Sequence, residues 1–159
     1  MMADSFVGIL TGLLTGISAS YFTIQFTLKK FFAERWWDRK EKAYSEIIDS
    51  LFDLLHYCEI EEQVEDGQHY SKERLEFLGE RFSDALWKIK RATAICALNV
   101  SDDAQRILME LSKRPDLKWS EEPPWELWER EAKYYRDALM QMIEAAKNDL
   151  RASSLKFLV

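Results

Sequence analysis

"SFVGILTGLLTGISASYFTIQFTLKKFFAERWW", Ser5 to Trp37, decides how the whole chain is read. Its first 24 residues, Ser5 to Leu28, carry no charge, and Lys29 and Lys30 end the run. As one helix, 24 residues rise about 36 Å, enough to cross a hydrocarbon core of about 30 Å. The flanks are asymmetric. Asp4 stands alone on the amino side, whereas Lys29, Lys30, Arg35, Arg39, Lys40 and Lys42 crowd the carboxyl side. The positive-inside rule then leaves the amino end outside and the bulk of the chain in the cytoplasm. A cleaved secretory signal is the first rival, with Ser18-Ala19-Ser20 imitating a cleavage site. Its basic leader is missing, however, and the apolar run continues to the lysine pair like a stop-transfer sequence. A helix buried in a soluble core is the second rival, and such a helix rarely runs this far without a charge. A retained anchor is the expectation.

Two stripes run along this segment. Gly8, Gly12, Gly16 and Ser20 recur every four residues, the small-residue spacing that lets helix backbones approach closely. Thr11, Thr15, Ser18 and Gln25 follow three-four spacing nearby, and lipid offers such groups no partner. Self-association through Gly8, Gly12, Gly16 and Ser20 is expected, giving a homo-oligomer. The plainer alternative is a single, weakly apolar anchor whose threonines bond to their own backbone.

From residue 29 on, glycine and proline are rare, so long helices follow. Trp37, Tyr44, Ile48, Leu51, Leu55 and Cys58 recur at helical steps in a segment from about Phe31 to Glu65. "EDGQHYS", Glu65 to Ser71, reads as a turn, with Ser71 a helix N-cap. A second helix to about Asn99 carries an inner stripe of Leu75, Leu78, Phe82, Ala85, Ile89, Ala92 and Cys96. Ser101 with Asp102 and Asp103 starts a short third helix that ends before Pro115, since acids favour the positive end of the helix dipole. Ser120 to Pro123 open the last helix, whose apolar face is Trp125, Trp128, Ala132, Tyr135, Leu139, Met142, Ala146 and Leu150. Leu155 to Val159 form an apolar tail. The expected architecture is all-α: one amino-terminal transmembrane helix, residues 1–30, then an antiparallel cytoplasmic helical bundle, residues 31–159.

The chemistry is sparse. A net charge of −6 argues against a general binder of duplex nucleic acid. Cys58 and Cys96 lie apart in apolar patterns and read as small core residues, with no disulfide framework. No glycine-rich phosphate loop, Cys-x-x-Cys or His-Glu-x-x-His occurs. His56, Cys58 and Glu59 do not share a helix face suited to a metal, and His69 falls in a polar turn. No nucleophile has an evident base beside it. Neither an enzyme, a metal site nor a cofactor is expected.

One pattern remains. Arg74, Arg81 and Lys88 repeat every seven residues along the second helix, with Arg91 at the edge of the line. Lys113, Arg114, Lys118 and Trp119 crowd the later connector. Guanidinium groups grip phosphate in bidentate fashion, and an oligomer would copy the line around its axis. These eight residues are the candidate ligand-binding set for a small polyanion. The plainer reading is a salt-bridged surface, with Asp84 placed between Arg81 and Lys88.

At "WWDRKEKAYSEIIDSLFDLLHYCE" the chain resembles a group of small bacterial membrane proteins with one amino-terminal anchor and a tryptophan-rich helical domain. The matching positions are Trp36, Trp37, Lys40, Tyr44, Ile47, Leu51 and Leu55. In layout it is similar to the CRISPR-associated membrane effectors that sense cyclic oligoadenylate through a helical cytoplasmic domain. That resemblance implies residence in the bacterial inner membrane, a tetramer-like assembly, a cyclic oligonucleotide as messenger and membrane damage as an antiviral output. The leading expectation is thus a membrane-anchored oligomeric sensor. The alternative is a passive adaptor that recruits a protein partner to the membrane.

Overall fold

The computed structural model describes the backbone of residues 2–95, 99–113 and 124–156, and the side chains of 20–95, 99–113 and 126–152. Four helices make up the described chain: α1 (Met2–Glu65), α2 (Lys72–Ile95), α3 (Asp102–Ser112) and α4 (Pro124–Lys156). No strand occurs among the described residues, so the fold is all-α.

α1 is unbroken for 64 residues, about 96 Å. No glycine or proline lies between Gly16 and Gly67, so the usual causes of a kink are missing there. The helix stops where Gly67 supplies a φ of +89°, a conformation that costs a residue with a Cβ. The Gly67 N–H donates to the Val64 carbonyl (3.0 Å) and the Gln68 N–H to the Gln63 carbonyl (2.9 Å). This paired closure satisfies carbonyls that the helix end would otherwise leave orphaned. Ser71 then caps α2, its hydroxyl accepting from the Arg74 N–H at 3.3 Å. Ser101, in extended conformation, caps α3 by accepting from the Ala104 N–H. Both caps are the serines expected from sequence. α4 begins, as described, at Pro124, and the expected opening at Ser120 to Pro123 lies outside the described residues.

α1 packs on α2 and α4, and α3 packs on the same two. Among the described residues the backbones of the diagonal pairs, α1 with α3 and α2 with α4, stay apart. Lys40 meets Asp149 while Glu59 meets Arg136, and Asp53 meets Arg81 while Ala43 and Glu46 share a groove with Arg91 and Ile95, so both neighbours of α1 run antiparallel to it. The result is an up-down-up-down four-helix bundle built on residues from about 40 onward, with the earlier part of α1 projecting beyond it.

The core is where the periodicity put it, with shifts in detail. Tyr44, Leu51, Leu55, Cys58, Leu78, Ala85, Ile89, Trp128, Ala132, Tyr135, Met142 and Ala146 are buried. Ile47 and Leu54 join them, while Ile48 and Trp37 are only half-buried. α2 and α4 pack on adjoining sides of one face of α1, so that face takes in Ile47 and Leu54 beside the central stripe. At the end far from the projection, Tyr57 packs on Phe82 (4.6 Å between ring centroids) and edge-on to Trp128 (5.7 Å), locking α1, α2 and α4 together. Cys96, Trp125 and the apolar tail side chains lie outside the described residues.

At the other end a polar cluster replaces apolar packing. The Tyr44 hydroxyl donates to an Asp149 carboxylate oxygen (2.8 Å) and accepts from the Ser101 N–H (2.9 Å). Lys40 Nζ reaches the other Asp149 oxygen at 2.6 Å. The cluster therefore ties α1, the start of α3 and α4 at one level. Burial first, and then the Asp149 carboxylate, push the Tyr44 hydroxyl up to about 12 from 10.0, against the lowering pull of the Ser101 hydrogen bonds. Burial and Glu61 likewise push Tyr57 upward. The unfolded chain would release these protons near pH 10 while the folded protein still holds them. Their contribution to stability is thus complete below pH 10 and is lost as pH rises through the folded values. Denaturant melts should show stability falling from about pH 10 towards pH 12, with a shallower fall in Tyr44→Phe. Equal stability at about pH 9 and pH 11.5 would contradict this assignment.

Candidate functional site: a groove between α1 and α2

A groove of about 600 Å³ opens between α1 and α2, near the end from which α1 projects. Ile47, Ile95 and Val100 give it apolar surface. Ser50 is buried in its floor, with its hydroxyl donating to the Glu46 carbonyl at 2.7 Å. One wall carries Lys88 and Arg91 of α2, and the facing wall Glu46, Asp49 and Asp53 of α1. Asn99, in the α2–α3 connector, closes one end. A volume of this order suits a small organic ligand.

Of the eight expected ligand residues, Arg74, Arg81, Lys88, Arg91 and Lys113 are among those described, and the structure does not bring these five together. Among these five, Lys88 and Arg91 alone line the groove. Arg74 lies at the start of α2, its guanidinium 5.3 Å from the centre of the Tyr70 ring. Seventeen residues of helix, about 25 Å, divide it from Arg91. Arg81 is tied to Asp53 in a two-pronged ion pair. Lys88 bonds Asp84 at 2.6 Å, and this contact raises its pKa; Asp53 and Glu46 contribute from across the groove. Lys113 is exposed at the carboxyl end of α3 and does not line the groove. Arg114, Lys118 and Trp119 lie outside the described residues. Asp84 thus answers Lys88 but not Arg81, which an acid on the neighbouring helix takes instead.

Sequence reasoning missed the acidic wall. Glu46, Asp49 and Asp53 recur at steps of three and four, a visible line, but nothing in the sequence said that it faces Lys88 and Arg91. Three carboxylates opposite two cations make a mixed-charge groove rather than a cradle for a long polyanion. Among the described residues no cluster of His, Cys, Asp or Glu is arranged to hold a metal ion. His56 instead stacks on Phe52, 5.9 Å between centroids.

The projecting part of α1 is the second feature of note. Tyr21, Phe22, Ile24, Phe26, Leu28, Phe31 and Phe32 are all exposed there. At about 100° per residue they spread over roughly 220° of the circumference, wider than a single helix-packing seam. The Thr27 hydroxyl donates to the Thr23 carbonyl at 2.8 Å, so it is satisfied within its own helix. Among the described residues no helix is long and apolar enough to cross a membrane. The side chains of residues 1–19, which make up most of the expected anchor and include Gly8, Gly12 and Gly16, lie outside them; Ser20 is exposed.

The fold and groove define a class in structural terms: a four-helix bundle on a long amino-terminal helical projection. Comparison with protein-family models, curated proteins and solved structures finds no match.

Proposed function

We propose that the protein is a single-anchor membrane protein, carried in the bacterial inner membrane as a homo-oligomer. Its bundle is a cytoplasmic sensor for a small charged ligand. The observation that carries this reading is the continuity of α1. The helix that supplies the acidic wall of the groove is the same unbroken helix that carries the apolar segment. A ligand that alters how α1 sits in the bundle therefore acts on the apolar segment with no flexible joint between. The breadth of the exposed apolar surface supports lipid as its surroundings, because one partner helix would cover only a sector of it.

The groove's chemistry narrows the ligand. Lys88 and Arg91 suit a phosphate, and the facing carboxylates suit an exocyclic amino group on a base. A nucleotide with an amino-bearing base, linear or cyclic, offers both. The full chain in detergent should show a thermal shift with such a nucleotide. Ligand at a hundred times its dissociation constant adds about 2.7 kcal/mol, which raises the midpoint of a bundle this size by roughly 5–20 °C. Arg91→Glu should abolish the shift without unfolding the chain, because Arg91 is exposed. Absence of a shift with every linear and cyclic nucleotide tried would overturn the ligand assignment. On the resemblance, the output is membrane damage. Overexpression should then slow host growth, and Gly12→Leu should relieve it by crowding the small-residue stripe.

The ion pairs favour a second reading. Arg81 and Lys88 are neutralised by Asp53 and Asp84, which leaves less free positive charge than a phosphate sensor would present. A membrane-tethered adaptor needs no such charge. It would show no nucleotide shift, and its recruitment of a partner would survive Arg91→Glu.

A further inference from the structure

The end of the bundle nearest the apolar segment is built from two helices, not one. Lys40 pairs with Asp149, and seven residues further along each helix bring Lys156 level with Ala33. Ala33 is buried, although it lies outside the four-helix core, as expected if α4 still covers α1 at that level. α4 therefore runs back along α1 to within about one turn of Lys30.

This level concentrates positive charge. Residues 29–39 of α1 and 151–156 of α4 hold six of the chain's 22 Lys and Arg residues and two of its 28 Asp and Glu residues. The basic ones are Lys29, Lys30, Arg35, Arg39, Arg151 and Lys156. The acids are Glu34 and Asp38, of which Glu34 makes an exposed 3.8 Å contact with Lys30. Such exposed pairs count for little. Asp149 is matched by Lys40. Glu41 follows Arg39 by two residues, and Asp102 and Asp103 at the start of α3 sit at the level of Tyr44, about 20 Å along α1 from Lys30. Lys29 and Lys30 thus stand farther from these three acids than the screening length of about 8 Å at physiological ionic strength.

Phe31 and Phe32, both exposed, stand among these cations, and the Arg35 guanidinium lies 4.7 Å from the Phe31 ring centre. Aromatics mixed with cations at the end of an apolar helix suit the headgroup layer of a bilayer. We infer that α1 and α4 together form a basic collar that binds anionic lipid headgroups and seats the base of the bundle on the membrane. The inference rests on the membrane reading above. Its distinguishing element is α4: basic residues on α1 alone would follow from orientation in the membrane, whereas Arg151 arrives from the far end of the chain.

The test uses the full chain purified in mild detergent, titrated with phosphatidylglycerol or with phosphatidylcholine and followed by native mass spectrometry. Phosphatidylglycerol should be retained at least ten-fold better. One basic side chain near an anionic surface accounts for about five-fold in affinity. The Arg39→Glu/Arg151→Glu pair should therefore lower phosphatidylglycerol retention by ten-fold or more. Arg39→Lys/Arg151→Lys, which keeps the charge, should retain it, and thermal midpoints show that each variant is folded. Equal retention of the two lipids would overturn the collar. So would unchanged phosphatidylglycerol retention in a folded charge-reversed pair. Alkaline extraction of membranes containing the wild-type chain tests the anchor separately. A chain released by alkali that still prefers phosphatidylglycerol would refute the anchor and leave the collar standing.

Discussion

Asp149→Ala should be among the most damaging single substitutions in the bundle, costing about 3 kcal/mol or more. The carboxylate holds Lys40 at 2.6 Å, and both side chains are only 14% exposed. It also accepts the Tyr44 hydroxyl at 2.8 Å. Removing it takes the 2.6 Å carboxylate partner from a mostly buried ammonium and one of two acceptors from a buried phenol. Breaking one half of a buried pair costs about 3–5 kcal/mol, and the remaining access of Lys40 to water puts the loss at the lower end. Replacing both partners, as in Lys40→Met/Asp149→Leu, should recover part of the loss, because the uncompensated charge is then gone. Urea melts of the wild type, both single variants and the double variant form the cycle that measures the coupling. A loss below about 1 kcal/mol for Asp149→Ala would show that the cluster does not hold α4 to α1.

Leu108→Ala is the second large effect. Leu108 is fully buried on α3, the shortest helix, alongside buried Ala104 and Ile107. Leu→Ala in a closed core costs about 2.7–5 kcal/mol, the spread reflecting how far the neighbours can collapse. Eleven residues of helix have little intrinsic stability, so collapse would have to come from α2 and α4. Loss of about 3 kcal/mol is expected, with amide exchange rising first in α3. Met109→Ala, on the exposed side of the same helix, should change stability by less than about 0.5 kcal/mol. If the two substitutions cost the same, the assigned inner face of α3 would be wrong.

Much of this fold can be read from the residues. Ser71 and Ser101 announce their helices because a hydroxyl before a helix has one profitable place to bond, the orphan N–H groups of the first turn. Gly67 announces the end of α1 because a left-handed residue there closes the last carbonyls. The core stripes of α2 and α4 follow from helical spacing alone. The partners of the charged side chains do not. Arg81 chooses Asp53 on α1, 28 positions away in sequence, over Asp84 on its own helix. That choice depends on the rotation of α2 against α1, which no local pattern encodes. The acidic wall of the groove was missed for the same reason, since a line of charge on one helix has no meaning until its neighbour is placed. The same holds for the collar, whose α4 half depends on the register that Lys40 and Asp149 set.

The unbroken run of α1 has a geometric consequence. About 30 residues project beyond the level where α4 ends, an arm of roughly 45 Å. If the arm pivots at the Ala33 level, a tilt of about 10° there carries its far end sideways by roughly 8 Å, close to one helix-to-helix spacing. A change at the base too small to disturb the bundle's own packing is thereby enlarged, at the tip, to the scale on which neighbouring helices exchange contacts.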